Sequence, residues 1–390
     1  TEQLQAILDG ELDTAPGSID MRSNNREYYS RGVQFGLNWD GVIGAVQHNI
    51  EVGLRLHEDE EDRLQFDSSY QQVNGTLVFN DTGALGAAGN RRAQAEALAL
   101  HIYDRIESGN WVITPGLRYE DIELTRLDYS GGADRALSGT RGNDVQVWLP
   151  GLGVSYLLSD RLTLIGGVHK GFTAPTNAPG VDEEEALNYE LGLRFSDSNL
   201  NLEAIGFLSD YENLLGVCTA SSGSNCAIGD AFNGDAATVA GLEFMLSTDL
   251  STTAAYSVPV QLTYTYINGE FDTDIGDTSF FGDVSAGDPI PYIPENQFRL
   301  GIGLEAIQWG LNLSANYVGQ VCVRASCGAF EQTDDALILD MSAHYQLNDS
   351  MRFFGRLENL SGEENIMGRQ PYGARPNKAR MASVGVRMRF

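Results

Sequence analysis

Alternation with a period of two runs through most of the chain. In 186–196, Leu187, Tyr189, Leu191, Leu193 and Phe195 fall on one parity, and Asn188, Glu190, Gly192, Arg194 and Ser196 on the other. Leu337, Leu339, Met341, Ala343, Tyr345 and Leu347 alternate in the same way with Asp340, Ser342, His344 and Gln346. Trp111, Ile113, Leu117 and Tyr119 oppose Arg118 and Glu120, and the last residues set Val384, Val386, Met388 and Phe390 against Ser383, Gly385, Arg387 and Arg389. A strand turns alternate residues to opposite faces. Charge on the second face of so many strands is costly in a dry core and cheap in a hydrated lumen. The pattern therefore predicts an all-β fold, a transmembrane antiparallel β-barrel with apolar residues toward lipid.

Fifteen strands are expected: 28–40, 43–57, 93–107, 110–126, 146–158, 161–171, 184–196, 200–213, 236–249, 259–272, 296–308, 310–323, 335–347, 350–361 and 379–390. Segment 68–80 reads as a hairpin arm within a loop. Tight connections such as Ser108-Gly109 and Asn348-Asp349 alternate with long ones at 58–92, 127–145, 172–183, 214–235, 273–295, 324–334 and 362–378. Outer-membrane barrels join strands in this way, with short periplasmic turns and long external loops. If the last strand ends at the periplasm, counting back fifteen strands starts residues 1–27 outside the cell, as the remnant of an external loop. Bacterial single-chain barrels have even strand numbers. The expectation is that 28–390 is the C-terminal part of a larger barrel.

Composition narrows this further. No run of about 18 apolar residues exists for a membrane helix, which says nothing against a barrel. The opening Thr-Glu-Gln-Leu-Gln is not a signal peptide. With 25 basic against 54 acidic residues the formal charge is -29, which excludes nucleic acid as a partner. Acidic runs at Glu58–Asp62 and Asp182–Glu185 read as solvated loop surface or as bridges through divalent ions to lipid headgroups. Cys218 with Cys226, and Cys322 with Cys327, form two local pairs in polar segments and suggest two external disulfides. Four thiols gathered on a soft metal are the rival reading. The five histidines are scattered among strands and show no zinc spacing. Glu183, Glu184 and Glu185 are adjacent in a loop and are not a positioned acid–base pair, so the chain reads as no enzyme.

Four segments carry a resemblance. They are Ile113-Thr-Pro-Gly-Leu-Arg-Tyr-Glu120, His169-Lys-Gly-Phe-Thr-Ala-Pro175, Glu185-Ala-Leu-Asn-Tyr-Glu-Leu-Gly-Leu-Arg194, and Arg356-Leu-Glu-Asn-Leu followed by Gly368-Arg-Gln-Pro and Arg375-Pro-Asn. In this order the chain resembles TonB-dependent outer-membrane receptors. Phe207-Leu-Ser-Asp-Tyr-Glu-Asn-Leu-Leu215 and Phe232-Asn-Gly-Asp are similar to the ferric-citrate transporter group. The resemblance implies a barrel of twenty-two strands in a Gram-negative outer membrane, filled by an N-terminal plug. A segment ahead of the plug engages the energy-transducing TonB complex. This sequence lacks that segment, the plug and about seven strands. The implied function is uptake of an iron chelate, ferric citrate or a related carboxylate siderophore, with the chelate as cargo and no resident cofactor. Lipid and lipopolysaccharide are the implied surroundings, and terminal Phe390 the implied assembly signal. A carboxylate-rich chelate needs cations at the mouth, and arginine's planar fork suits carboxylates. Arg22, Arg26, Arg91 and Arg92 are the expected ligand contacts, and Arg141 is a further external cation. The alternative is a structural or adhesive barrel without transport, or a barrel completed by another chain.

Overall fold

The computed structural model describes residues 2–217, 231–253, 255–278, 281–328, 330–369 and 373–389. Fifteen strands build one antiparallel wall. They are β1 Arg26–Ile43, β2 Val46–Val73, β3 Gly89–Ser108, β4 Trp111–Ser130, β5 Ala136–Ser159, β6 Leu162–Thr173, β7 Glu184–Ser196, β8 Leu200–Glu212, β9 Ala237–Asp249, β10 Pro259–Phe271, β11 Asn296–Ala306, β12 Trp309–Val318, β13 Ala336–Asn348, β14 Met351–Glu358 and β15 Met381–Met388. Each pairs with its predecessor and successor in the chain. These are the fifteen expected strands. Among the described residues, β15 bonds only to β14, and β1 bonds only to β2.

Directly paired residues in neighbouring strands share a face, so the alternation propagates across the whole wall. Leu54, Leu100, Tyr119 and Trp148 face one way in one row. Asn188 with Ser209, and Arg194 with Glu203, face the other and bond across the strands, the first at 2.7 Å. The apolar face is open: Leu37 is 70% exposed and Leu191 74%. So large an exposed apolar surface fits lipid and not water. Paired aromatic rings bound it. Trp111 packs on Tyr156 at 4.5 Å at the short-turn end, and Tyr119 on Trp148 at 4.7 Å toward the other. Eight residues separate Trp111 from Tyr119, about 27 Å of strand and about 20 Å of height at barrel tilt. That approaches the apolar band of an outer-membrane barrel.

The first five strands rise well beyond this band. Residues 58–67, expected to be loop, continue β2 as strand, so much of the expected 58–92 connection is ladder. The reason is physical. Above the lipid both faces meet water, and a strand there needs no apolar parity to be stable. Residues 68–73 pair with Thr76–Thr82 as the expected hairpin, while Ile19–Ser23 pairs with Phe66–Tyr70 on the other side. The N-terminal segment is thus ordered structure: helix α1 Glu2–Leu8 is held through Gln72, whose amide donates to the carbonyls of Ile7 and Leu12.

On the far side of the mouth, three long connections share a small core of Ala237, Phe271, Phe281, Val284 and Ala325. Cys322 and Cys327 are disulfide-bonded beside it. The pair Cys218–Cys226 and the terminal Phe390 lie outside the described residues.

Two outcomes test the facing and the loop assignment. Leu191→Arg puts a charge in the apolar band and is expected to cost about 2–4 kcal/mol in equilibrium unfolding of the full-length barrel in lipid vesicles. Glu190→Gln, on the wet face, is expected to stay within about 0.5 kcal/mol of the parent; the opposite ranking would reverse the two faces. On whole cells, a membrane-impermeant thiol reagent is expected to modify Cys322 and Cys327 only after reduction. Labelling of either cysteine before reduction would show a free thiol.

Candidate ligand site at the mouth

The rows of the wall place arginines side by side above the apolar band. Arg26 pairs with Arg63, Arg63 with Arg91, and Arg91 with Asp128. Two residues lower, Tyr28, Glu61, Ala93, Arg126 and Arg141 form the next row on the same face. This is the lumenal face, since Arg126 keeps the parity of Arg118 and Glu120. A cavity of about 680 Å³ opens there, lined by Glu61, Arg63, Arg91, Arg126, Thr176 and Asn177. The last two come from the connection after β6, which folds over the cavity.

The carboxylates present are already engaged. Glu61 accepts the Tyr28 hydroxyl at 2.9 Å, lies 3.3 Å from Arg26 Nη1, and is 2.7 Å from Arg63 Nε. Burial pushes the Glu61 carboxyl up, but Arg63, Tyr28 and Arg26 together hold it below its usual range. Asp128 accepts Arg126 at 2.7 Å. Arg26 and Arg63 therefore share Glu61, and Arg126 takes the Asp128 that stands opposite Arg91. Arg91 has no ion pair among the described residues. Burial first, and then repulsion from Arg126 and Arg63, push its guanidinium down to about 10. The Thr176 hydroxyl is buried and has no hydrogen-bond partner in the described structure. Asp59, Glu60 and Glu61 also line the cavity, so its open donors are the Arg91 guanidinium and the Thr176 hydroxyl, which suit an anionic group.

The four expected ligand arginines separate. Arg26 and Arg91 stand in this cluster. Arg22 lies on the flanking strand Ile19–Ser23 and grips Asp67 through two bonds of 2.8 and 2.9 Å, which holds that carboxyl below its usual range. Arg92, one residue from Arg91, necessarily points to the opposite face. There it bonds Asp62 at 3.0 Å and approaches Glu60 at 3.3 Å, while Arg135 reaches Asp62 at 2.7 Å. Arg63 and Arg126 were absent from the expected set. Their parity could have identified them: Arg126 continues the Arg118, Glu120 register of β4, and Arg63 that of Glu61 in β2.

Comparison with known proteins agrees with the fold. The chain matches the family described as TonB dependent receptor-like, beta-barrel over residues 5–360. It is 26% identical over 248 residues to the ferric enterobactin receptor of Pseudomonas aeruginosa, covering 52% of this chain and 31% of that one. The crystal structure of the unliganded ferric citrate transporter FecA superposes with a TM-score of 0.77 at 21% identity, over 94% of this chain and 55% of that one. The siderophore receptor PiuA from Acinetobacter baumannii gives 0.74 at 17% identity, over 93% and 56%. The chain thus spans about a third of the curated relative and a little over half of these solved structures.

The repulsion at Arg91 has a measurable sign. Below about pH 10 its guanidinium is charged in the folded and unfolded chain alike, and the fold carries the unfavourable contact. As pH rises beyond about 10 the folded state loses the proton before the unfolded chain does and the penalty fades. In the full-length receptor at pH 7, Arg91→Gln is expected to be more stable by about 1 kcal/mol after solvent screening. The gap should narrow above pH 10 in a calorimetric pH series.

Proposed function

Because the chain belongs to the TonB-dependent receptor-like β-barrel family, we propose that it is the C-terminal wall of an outer-membrane receptor for a carboxylate-rich iron chelate, with ferric citrate as the type ligand. The observation that carries this is Arg91, an unpaired guanidinium at the mouth held among Arg26, Arg63 and Arg126. A polyanion that enters the cavity supplies the acceptors this cluster lacks and relieves its mutual repulsion. The planar forks favour carboxylate oxygens over the neutral carbonyls of an uncharged chelate.

The rest of the receptor follows from the same reading. The one-sided edges of β1 and β15 support a wall completed by further strands, seven on the family's count of twenty-two, because an open ladder in lipid leaves amides unbonded. A plug would occupy the polar lumen, and the TonB complex would supply energy from the periplasmic side. The apolar band would sit in the lipid of a Gram-negative outer membrane, with the tall outer wall against lipopolysaccharide.

Binding of ferric citrate to the full-length receptor tests the ligand class. Arg91→Gln and Arg63→Gln are each expected to weaken it about tenfold, the scale of one lost charge-assisted contact, and added salt is expected to weaken the parent further. A neutral ferric hydroxamate that bound as tightly, and with indifference to Arg91→Gln, would remove the anion-receptor reading.

A further inference from the structure

A second cavity, of about 740 Å³, lies in the lumenal wall of β10–β14. Arg299, Asp340 and Arg356 line it, together with Gln261, Ser314 and Ser342. Its depth comes from side chains that are missing. Gly301 pairs with Gln261 on one side and Ser314 on the other, and Gly303 with Asn312, so small residues lie behind a rim of long ones. The cavity has the size of a small-molecule site and a mixed lining, with Ile302, Leu313 and Met341 beside the polar groups.

Its charge is again unbalanced toward donors. Asp340 accepts the backbone amide of Asn359 at 2.9 Å. Arg356 approaches Glu358 at 3.3 Å, and that carboxylate also takes Lys378 at 2.7 Å. Arg299 faces Thr263 and Asn316 in register, and among the described residues its guanidinium makes no ion pair or hydrogen bond.

The two arginine-bearing cavities stand at different heights. Phe298 stacks on Tyr317 at 5.3 Å on the lipid face and marks the upper edge of the apolar band at β11 and β12. Arg299 is the next residue, so its cavity lies at and below that edge. In β2 the same edge falls at Leu54, paired into the Tyr119–Trp148 row, whereas Arg63 is nine residues higher, about 30 Å along the strand.

We propose that the lower cavity is a second anion station, which receives the carboxylate-rich chelate at membrane height after it leaves the mouth. The proposal rests on the ligand class inferred above and adds a route: the chelate passes down the β10–β14 side of the lumen, from the open guanidinium of Arg91 to that of Arg299.

Two variants of the full-length receptor test it with radioiron-labelled ferric citrate as probe. Arg299→Gln removes the open charge. Gly301→Phe fills the cavity from a backbone position with room for a side chain, since a Cβ there meets only the Gln261 carbonyl, at 4.0 Å. Surface binding on ice is expected to match the parent for both. Energised import is expected to fall about tenfold in Gly301→Phe and severalfold in Arg299→Gln, with receptor abundance in the outer membrane unchanged. Import at the parental rate in Gly301→Phe would overturn the route. So would a loss of surface binding that accounts for the loss of import. Lower abundance of Gly301→Phe, with Gly301→Ala at normal levels, would mean that the cavity seats part of the protein and would also overturn it. A parent receptor that binds no ferric citrate would fail the mouth reading itself, and the lower station with it.

Discussion

A backbone amide in hydrocarbon has no water to fall back on, so every strand that crosses must be laddered to neighbours throughout. Most of the molecule follows from that requirement. Antiparallel ladders lock the parity of each strand to the next, and one alternation extends from Val33, Leu56, Leu98, Asp121 and Gln146 outward-facing in one row to Gly301, Ser314 and Asp340 inward-facing in another. Loops can vary in length without disturbing it. The lumen is polar because the parity opposite to lipid has nowhere apolar to go, and the buried Glu120 is paired with Arg118.

The mouth shows how function is superimposed on this scaffold. In a chain of net charge -29, dispersing arginines among carboxylates would be the stable arrangement. Much of the wall does that: Arg31 bonds Glu58, and Arg194 bonds Glu203. At Arg26, Arg63 and Arg91 the ladder instead sets like charges opposite one another, which is destabilising in a sheet. This local conflict inside an otherwise consistent fold is the physical argument for the site proposed there.

Where lipid imposes alternation, the architecture was legible in the sequence, and all fifteen strands were found, although β2 runs on to Val73 from an expected end at 57 and β5 starts at Ala136 instead of 146. It was least legible just above the lipid. There Glu58, Glu60 and Asp62 face one way and Asp59, Glu61 and Arg63 the other, and a run of charges on both faces resembles a solvated loop. The same blindness affected the site. Arg91 and Arg92 are neighbours in sequence, yet they sit on opposite faces of β3, one toward the cavity and one toward Asp62. Reading β3 and β4 upward by parity separates them and also selects Arg126. Arg22 and its partner Asp67 are 45 residues apart, and only the pairing of Ile19–Ser23 with the upper part of β2 brings them together. The closure of Thr176 and Asn177 over the cavity depends on how the connection after β6 folds, for which composition carries no signal.

The two sides of the mouth are built on different cohesive principles. The side around the arginines is continuous ladder, so its stiffness is that of the wall and its hydrogen bonds open only when the wall frays. The opposite side is a nodule of Phe271, Phe281, Val284 and Ala325 tied by a covalent link, with its own apolar interior and short strands that pair with no wall strand. Ala237 and Phe271 anchor it to the upper ends of β9 and β10, and the rest of it lies outside the ladder. Cooling weakens its packing because apolar attraction is entropic near room temperature, whereas the ladder's bonds are far less affected. The rim of this wall therefore has one half held by apolar packing and one held by ladder, and the balance of cohesion between them changes with temperature.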